Sequence, residues 1–413
     1  MKVGLGNLPM RMGYFLRDDG ACGYYRSDLP FQTIFKNKAA DVAKIEAGDN
    51  HEKIAALLDG GDIFHVPRLQ EDLFLGALLK LKKKFVVDWD DDIFNVSPLS
   101  PHYEDFGQEE YSVDLKEIPQ FYKGGVPNAE EIEKFRKSNP RTLDLENHRL
   151  FVWKDGVNFD LKRNREYQDT AKRALESCSM ITVTTEILAQ AYRNFNGNVK
   201  VLPNCVDLNL WQRLPLKPHE NIRMGWFGGH SHYEDWCLIA PLLPELMARH
   251  PEVTLVLMGA KFPGTLKGIP EDRIEYHGWI HTQAYPLKES ILDLDFAIIP
   301  LRDTPFNRCK SAIKWIEMGA LHIPSVASYV SPYVEMMDLV HDNGIFIDKN
   351  ELDGWYQGIE QMIRSESARK AVGDAAYETV KKHFDINTQY HRWVDAYKEV
   401  LTWESPRIPL SVA

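Results

Sequence analysis

The chain has 413 residues, of which 44% are hydrophobic, and a formal net charge of −11 at pH 7. That length predicts two or three domains, and that apolar fraction fills more than one core. An acidic chain of this kind is not built to hold a long stretch of nucleic-acid backbone, and no apolar run approaches the ~20 residues that span a bilayer.

In chain order, residues 2–8 alternate weakly and are expected as an opening strand. The glycine-containing stretch after them, GYFLRDDGACGYYRSDLPF, reads as a loop leading to a helix from about Leu29. Its glycines permit close backbone approach to a ligand, and Arg26 is a suitable fork for an anion. Residues 62–67 (DIFHVP) predict a strand that leaves His65 near the carboxyl edge of a sheet, a candidate catalytic position. Lys82, Lys83 and Lys84 read as a solvated helix end.

The strand at 85–87 runs into Asp88-Trp89-Asp90-Asp91-Asp92. Carboxylates packed so closely repel one another unless a cation, solvent or raised pKa values relieve them. Asp90 and Asp91 are read as groups that orient or deprotonate an acceptor hydroxyl. A divalent metal at Asp88–Asp92 is the second reading and a solvated turn the third; no obligatory metal is expected.

Residues 97–149 are polar and rich in Glu, Lys, Pro and Tyr, which predicts an insertion or lid at about 97–150. A helix at 158–178, a strand in SMITVTTE and a strand at 199–203 follow, the last running into Asn204-Cys205-Val206-Asp207. Residues 212–221, with Pro215 and Pro218, read as an interdomain linker. A strand at 222–227 then meets Gly228-Gly229-His230-Ser231-His232 before a helix at 233–249, a junction whose small residues let backbone N–H groups face a phosphate. Strands at 253–258 and 273–279 come next.

The stretch DFAIIPLRDTPFNRCKSAIKWIEMGALHIPSVAS is the densest in chemistry. It predicts a strand at 296–300, a polar turn, Asn307 as an N-cap, a helix at 308–318 closed by Gly319, and a strand at 323–327. On one helix, Lys310, Lys314 and Glu317 fall within about 60° of one another. Two ammonium groups and a helix N-terminus at the carboxyl end of a parallel strand suit a diphosphate, whereas a solvated salt-bridged face is the bland alternative. A carboxylate such as Glu317 accepts two hydrogen bonds from a ribose diol. A helix from 333, a strand at 344–348, helices at 352–364 and 367–383, and an amphipathic segment at 387–403 end the reading. Alternating strands and helices in two runs imply two doubly wound α/β sheets.

On Asn307, Lys310, Ser311, Lys314, Glu317, Gly319, Pro324 and Ala327, the chain resembles retaining GT-B glycosyltransferases of the family-four-like group. That resemblance implies two Rossmann-like domains facing across a cleft. Residues 1–211 would form the acceptor side, 212–385 the nucleotide-sugar domain, and 386–413 a helix crossing back to the first domain. It implies a donor site of Gly228, Gly229, His230, His232, Gly278, Trp279, Ile280, Asp303, Asn307, Lys310, Ser311, Lys314 and Glu317, with Lys310 also catalytic and Gly278 to Ile280 around the base. It places Gly23, Tyr24 and Arg26 in an acceptor or phosphate loop. Where such enzymes carry a second acid, this chain has Cys309, with Asp303 or Asn307 as stand-ins; where they carry glycine, it has Cys205.

The expected activity is sugar transfer from a nucleoside-diphosphate sugar, such as a UDP-sugar, to a hydroxyl of a glycan or a hydroxymethylated DNA base, with retention and without an obligatory metal or cofactor. A sugar-nucleotide epimerase or phosphorylase is the enzymatic alternative, and a non-catalytic sugar-nucleotide-binding protein the other. Cys22, Cys178, Cys205, Cys237 and Cys309 are scattered and have no metal-ligand spacing, so reduced thiols are expected, and without a spanning run or a signal-peptide core in MKVGLGNLP a cytoplasmic location is expected.

Overall fold

Residues 10–46, 48–114, 143–144, 149–215 and 218–402 are described by the computed structural model, so the strand expected at 2–8 and the tail at 403–413 lie outside the described residues. The chain divides into two compact units, one of Met1–Asp91, Thr170–Asn209 and Lys382–Ala413, the other of Asp92–Asp169 and Leu210–Lys381.

The first unit is built on β1 (Arg11–Leu16), β2 (Asp41–Glu46), β3 (Ile63–Pro67) and β4 (Lys84–Trp89). β1 corrects the sequence reading, which begins a loop at Gly13. That glycine is a packing residue, because a Cβ there would fall 2.5 Å from the Phe64 ring on the neighbouring strand. In the second unit β5 (Tyr111–Asp114), β6 (Leu143–Asp144) and β7 (Arg149–Trp153) form a small antiparallel sheet within the stretch expected as an insertion. Tyr103, Trp153 and Phe159 pack beside one another there with centroids 6.0–6.2 Å apart, which gives the stretch an apolar centre of its own.

β8 (Met180–Val183) and β9 (Val199–Val201) complete the first sheet, all parallel in the order β2-β1-β3-β4-β8-β9. The helices Ile386–Gln389 and His391–Thr402 belong to this unit. Lys84 donates to the carbonyls of Val400 at 2.7 Å and Leu401 at 3.0 Å, so this member of the basic run caps a helix C-terminus instead of standing in solvent.

The second unit contains β10 (Ile222–Gly228), β11 (Val253–Gly259), β12 (Ile274–His277), β13 (Phe296–Ile299), β14 (Ser325–Ser328) and β15 (Ile345–Ile347). They form a parallel sheet in the order β12-β11-β10-β13-β14-β15, so the direction of winding reverses between β10 and β13. Every residue of β13 and β14 is buried, as parallel strands covered on both faces require. Trp355, Ile359, Met362 and Ile363 form the inward stripe of the helix Leu352–Arg364 and pack on this sheet beside Trp226, Trp236 and Leu257. Each such side chain contributes about 1.5–3 kcal/mol by leaving water.

The helix expected at 308–318 is two. Thr304, not Asn307, caps a short helix Pro305–Arg308 by accepting the Asn307 N–H at 3.1 Å, and a second helix spans Ile313–Ala320. Gly319 lies inside that second helix and does not close it. A Cβ there would fall 2.9 Å from Val380, so glycine permits close approach of the helix Glu366–His383, and His322 (φ 57°) takes the left-handed position expected of Gly319. The helix expected at 233–249 is also divided, into Tyr233–Trp236 and Leu243–Arg249, with Pro241 in the joint and Pro244 in the first turn of the second helix.

Candidate functional site

A doubly wound sheet leaves a crevice at the carboxyl ends of its strands where the order reverses, here after β10 and β13. Gly228 ends β10, and its carbonyl accepts the Ala260 N–H at 2.8 Å. Gly259 ends β11 with φ 103°, and a Cβ there would meet the Gly228 oxygen at 2.5 Å and the Trp279 ring at 2.7 Å. Glycine at these strand ends therefore lets the Trp279 indole lie against them. Trp279 is 58% exposed and stacks on Tyr285 at 6.3 Å and 23°. Gly278, Trp279 and Ile280 are thus an accessible aromatic shelf beside Gly229.

Asp235 ties the two loops of the crevice together. It is 3% exposed; one oxygen accepts the Arg302 N–H at 2.8 Å and the Asn307 amide at 3.1 Å, and the other pairs with His232 Nδ1 at 2.7 Å. His232 is pulled down to about 4, first by burial and then by Lys314, against the bond to Asp235. It is a neutral ring at pH 7, and donation through Nδ1 leaves Nε2 as an acceptor. His230 is exposed and meets the Phe262 ring edge-on at 6.1 Å.

Lys310 and Ser311 occupy the turn between the two short helices, with Lys310 Nζ 4.5 Å from the Phe306 ring centre. Lys314 lies in the first turn of the second helix and Glu317 one turn later, buried. Lys314 is held down to about 8, chiefly by burial and further by the positive charge of Lys310, while Asp235 and Glu317 act in the opposite direction. Lys310, Lys314, Asp235, His232 and Glu317 therefore share one field. The convergence expected of a single helical face is reached by a turn and a helix instead.

Asn307 donates to Asp235 and to the Arg302 carbonyl, so its amide is committed within the loop. Asp303 is exposed and paired with Arg308 at 2.8 Å, which draws it away from the role of a second acid. Cys309 is buried and offers no substitute for that acid.

At the carboxyl edge of the first sheet the aspartates are separated by arginines. Arg26 is 2% exposed and bonds Asp88 through two nitrogens at 2.9 and 2.6 Å, the Leu202 carbonyl at 2.6 Å and Asn204 at 3.0 Å. Asp88 also accepts the Thr182 hydroxyl at 2.6 Å. Arg26, expected in an acceptor or phosphate loop, is thus committed to tying the ends of β4, β8 and β9 together. Gly23 belongs to the same tight turn, since a Cβ there would fall 1.9 Å from the Asp18 carbonyl, and Tyr24 is half-buried beside it.

Arg68 pairs with Asp90 at 2.8 and 2.9 Å and contacts Cys22 Sγ at 2.8 Å. Burial would raise Asp90, but Arg68 outweighs it and holds this carboxyl down to about 2. A carboxylate so acidic and so well paired is a poor proton acceptor, which corrects its reading as a base. Asp91 is half-buried and its backbone carbonyl takes the Tyr192 hydroxyl at 3.1 Å, whereas Asp92 caps Phe94 N at 3.1 Å and holds Asn95 at 2.7 Å.

His65 is 1% exposed, bonded to Ser27 at 3.1 Å and to Tyr397 at 2.7 Å, and burial takes it down to about 4. It is a neutral packing residue, not an accessible catalyst. Among the described residues no group of three or more His, Cys, Asp or Glu side chains is arranged to hold a metal ion.

No family model and no curated protein matches the sequence. Solved structures do match it. Anabaena HepE in complex with UDP and glucose aligns with a TM-score of 0.58 at 14% identity over 94% of this chain and 99% of that one. Sucrose-phosphate synthase from Thermosynechococcus elongatus gives 0.58 at 13% over 95% and 99%, and a glycosyltransferase from Rickettsia africae 0.60 at 13% over 96% and 100%. The chain has the GT-B fold.

Within this GT-B chain, sequence reasoning missed Asp235 as the hub of the second crevice, and it missed Tyr285 and Glu289 altogether. Asp235 carries a signal of a kind, three residues after His232 at the start of a helix. Glu289 carries none, because one acid on a helix with exposed Leu287 and Ile291 reads as a solvated residue.

Proposed function

We propose that the protein is a glycosyltransferase that moves a sugar from a nucleoside-diphosphate sugar to a hydroxyl acceptor. The observation that carries the reading is the shared field of Lys310, Lys314 and Glu317 at the winding reversal of the second sheet. HepE was solved with UDP and glucose, which favours a UDP-sugar as the first donor to try. Trp279 supplies a face for the base and Glu317 an acceptor for the ribose diol.

As the bond from the anomeric carbon to the diphosphate breaks, negative charge grows on the leaving oxygen. Lys310 and Lys314 stand where they oppose that charge, and N–H groups at Gly228, Gly229 and the start of Ile313–Ala320 add to it. Lysine charge fulfils the part a divalent cation plays elsewhere, so transfer is expected to persist in chelator. By resemblance the anomeric configuration is retained.

The test is release of nucleoside diphosphate from a panel of nucleotide sugars with glycan and other hydroxyl acceptors, with the mass and anomeric configuration of each product. Transfer that falls about ten- to a hundredfold in Lys314→Ala is expected, the cost of a charge-assisted contact. Sugar isomerisation without any acceptor would replace transfer by epimerisation, and tight donor binding with no product across the panel would make this a binding protein.

A further inference from the structure

The helix Tyr285–Leu292 turns apolar residues outward and an acid inward. Leu287 and Ile291 are 55% and 50% exposed, whereas Glu289 is fully buried at 0%. Ser290, also buried, has a clear role: its hydroxyl accepts the Leu214 N–H and donates to the Gln212 carbonyl, both at 2.8 Å. Both carboxyl oxygens of Glu289 are buried without a well-formed hydrogen bond, and the Tyr285 hydroxyl is a donor that reaches toward them. The groups that face it are Glu317 from the helix Ile313–Ala320 and Tyr285 from its own helix.

A carboxylate left bare inside a protein costs many kcal/mol, and a second carboxylate beside it raises that cost. Keeping the proton is the relief open to Glu289. Burial first, and the charge of Glu317 second, hold it well above the usual carboxylate range, against the smaller opposing pull of the Tyr285 hydroxyl. Tyr285 links this acid to the shelf, since its ring stacks on Trp279. One helix thus backs both the aromatic face and the acid of the donor site proposed above.

We propose that Glu289 and Glu317 form a carboxyl pair carrying one negative charge, in which Glu289 keeps the proton so that a nucleotide ribose meets a single carboxylate. Glu289 is a positioning residue that acts through Glu317, and the inference rests on the nucleotide-sugar reading of this crevice. Ionising Glu289 adds a second negative charge to the field of Glu317, turns Glu317 from its productive position and releases the nucleotide.

The experiment pairs infrared spectroscopy with calorimetric titration of UDP and ADP from pH 6 to 9, on the wild type, Glu289→Gln and Glu289→Leu. The wild type is expected to show the carbonyl band of a protonated acid at neutral pH, lost in both variants. At pH 7 the neutral variants should bind within about threefold of the wild type. The ratio of wild-type to Gln-variant Kd, in which the titration of Lys314 cancels, should stay flat for as long as the protonated-acid band persists and climb only as that band is lost.

An infrared difference that shows no protonated acid at Glu289 would overturn the proposal. So would a Glu289→Gln protein of wild-type thermal stability that binds more than tenfold weaker at pH 7. A wild type that binds no nucleoside diphosphate would instead bring down the functional reading and this use of the pair with it, while the band still reports separately on the proton at Glu289.

Discussion

Lys314 changes charge near the pH at which the protein would work, because burial and the neighbouring Lys310 hold it down to about 8. It is charged below that value and neutral above it. Affinity for a nucleoside diphosphate should therefore be full on the acid side and fall as pH rises through about 8. Titrations of Lys314→Met should be weaker and nearly flat over the same interval, and a wild-type profile without that decline would remove Lys314 from the diphosphate.

His65 acts on stability. Its folded value of about 4 lies below the ordinary 6.5, so between these limits the unfolded chain takes up a proton that the native protein does not. Its contribution is intact above 6.5 and is lost as pH falls toward 4, amounting to roughly 3 kcal/mol. Denaturant unfolding at several pH values should show that loss in the wild type and a smaller one in His65→Gln. Arg26 is a third case: Arg26→Met leaves Asp88 buried without its ion pair, and a loss of about 3–5 kcal/mol in urea unfolding is expected. A change under 1 kcal/mol would show that the network is dispensable.

At the scale of elements, strand ends and short helices decide where the chemistry stands. Gly259 is the sharpest instance: with φ 103° and the Gly228 oxygen 2.5 Å from any added Cβ, Gly259→Ala must move either β10 or the Trp279 shelf. We expect it to cost about 1–3 kcal/mol in thermal unfolding and to shift tryptophan emission, whereas an unchanged spectrum and midpoint would show that the contact yields easily.

The same elements show what the sequence made legible. β3, β4, β10, β11 and β13 fall where apolar runs bounded by glycine, proline or aspartate predict them, and β8 where the run at 180–183 does, because strands covered on both faces need such runs. β1 escaped because the glycine-containing stretch from Gly13 reads as a loop, whereas Gly13 is a packing contact with Phe64. The turn at residues 309–312 escaped because Lys310, Lys314 and Glu317 keep helical spacing across a break that carries no glycine or proline. Arg26 and Asp90 were misread because their residue types suit ligands as well as each other's partners. Their pairing with Asp88 and Arg68, 62 and 22 positions away, is a long-range fact that local pattern does not carry.

At the scale of the whole molecule, each unit carries its own parallel six-stranded sheet. In the first, the carboxyl edge is closed by Arg26–Asp88 and Arg68–Asp90 pairs; in the second, it holds two lysines, one of them a half-buried group brought down to about 8. In a chain of net charge −11, the two lysines of the second edge stand among Asp235 and Glu317, and the proposed function gives them the diphosphate.

The most direct measurement is calorimetric titration of the wild type and Lys310→Ala with UDP, ADP and GDP at pH 7. The account predicts that at least one nucleotide binds the wild type and that the variant binds it ten- to a hundredfold more weakly, a loss of about 1.5–3 kcal/mol. Equal affinity in the two proteins would contradict it.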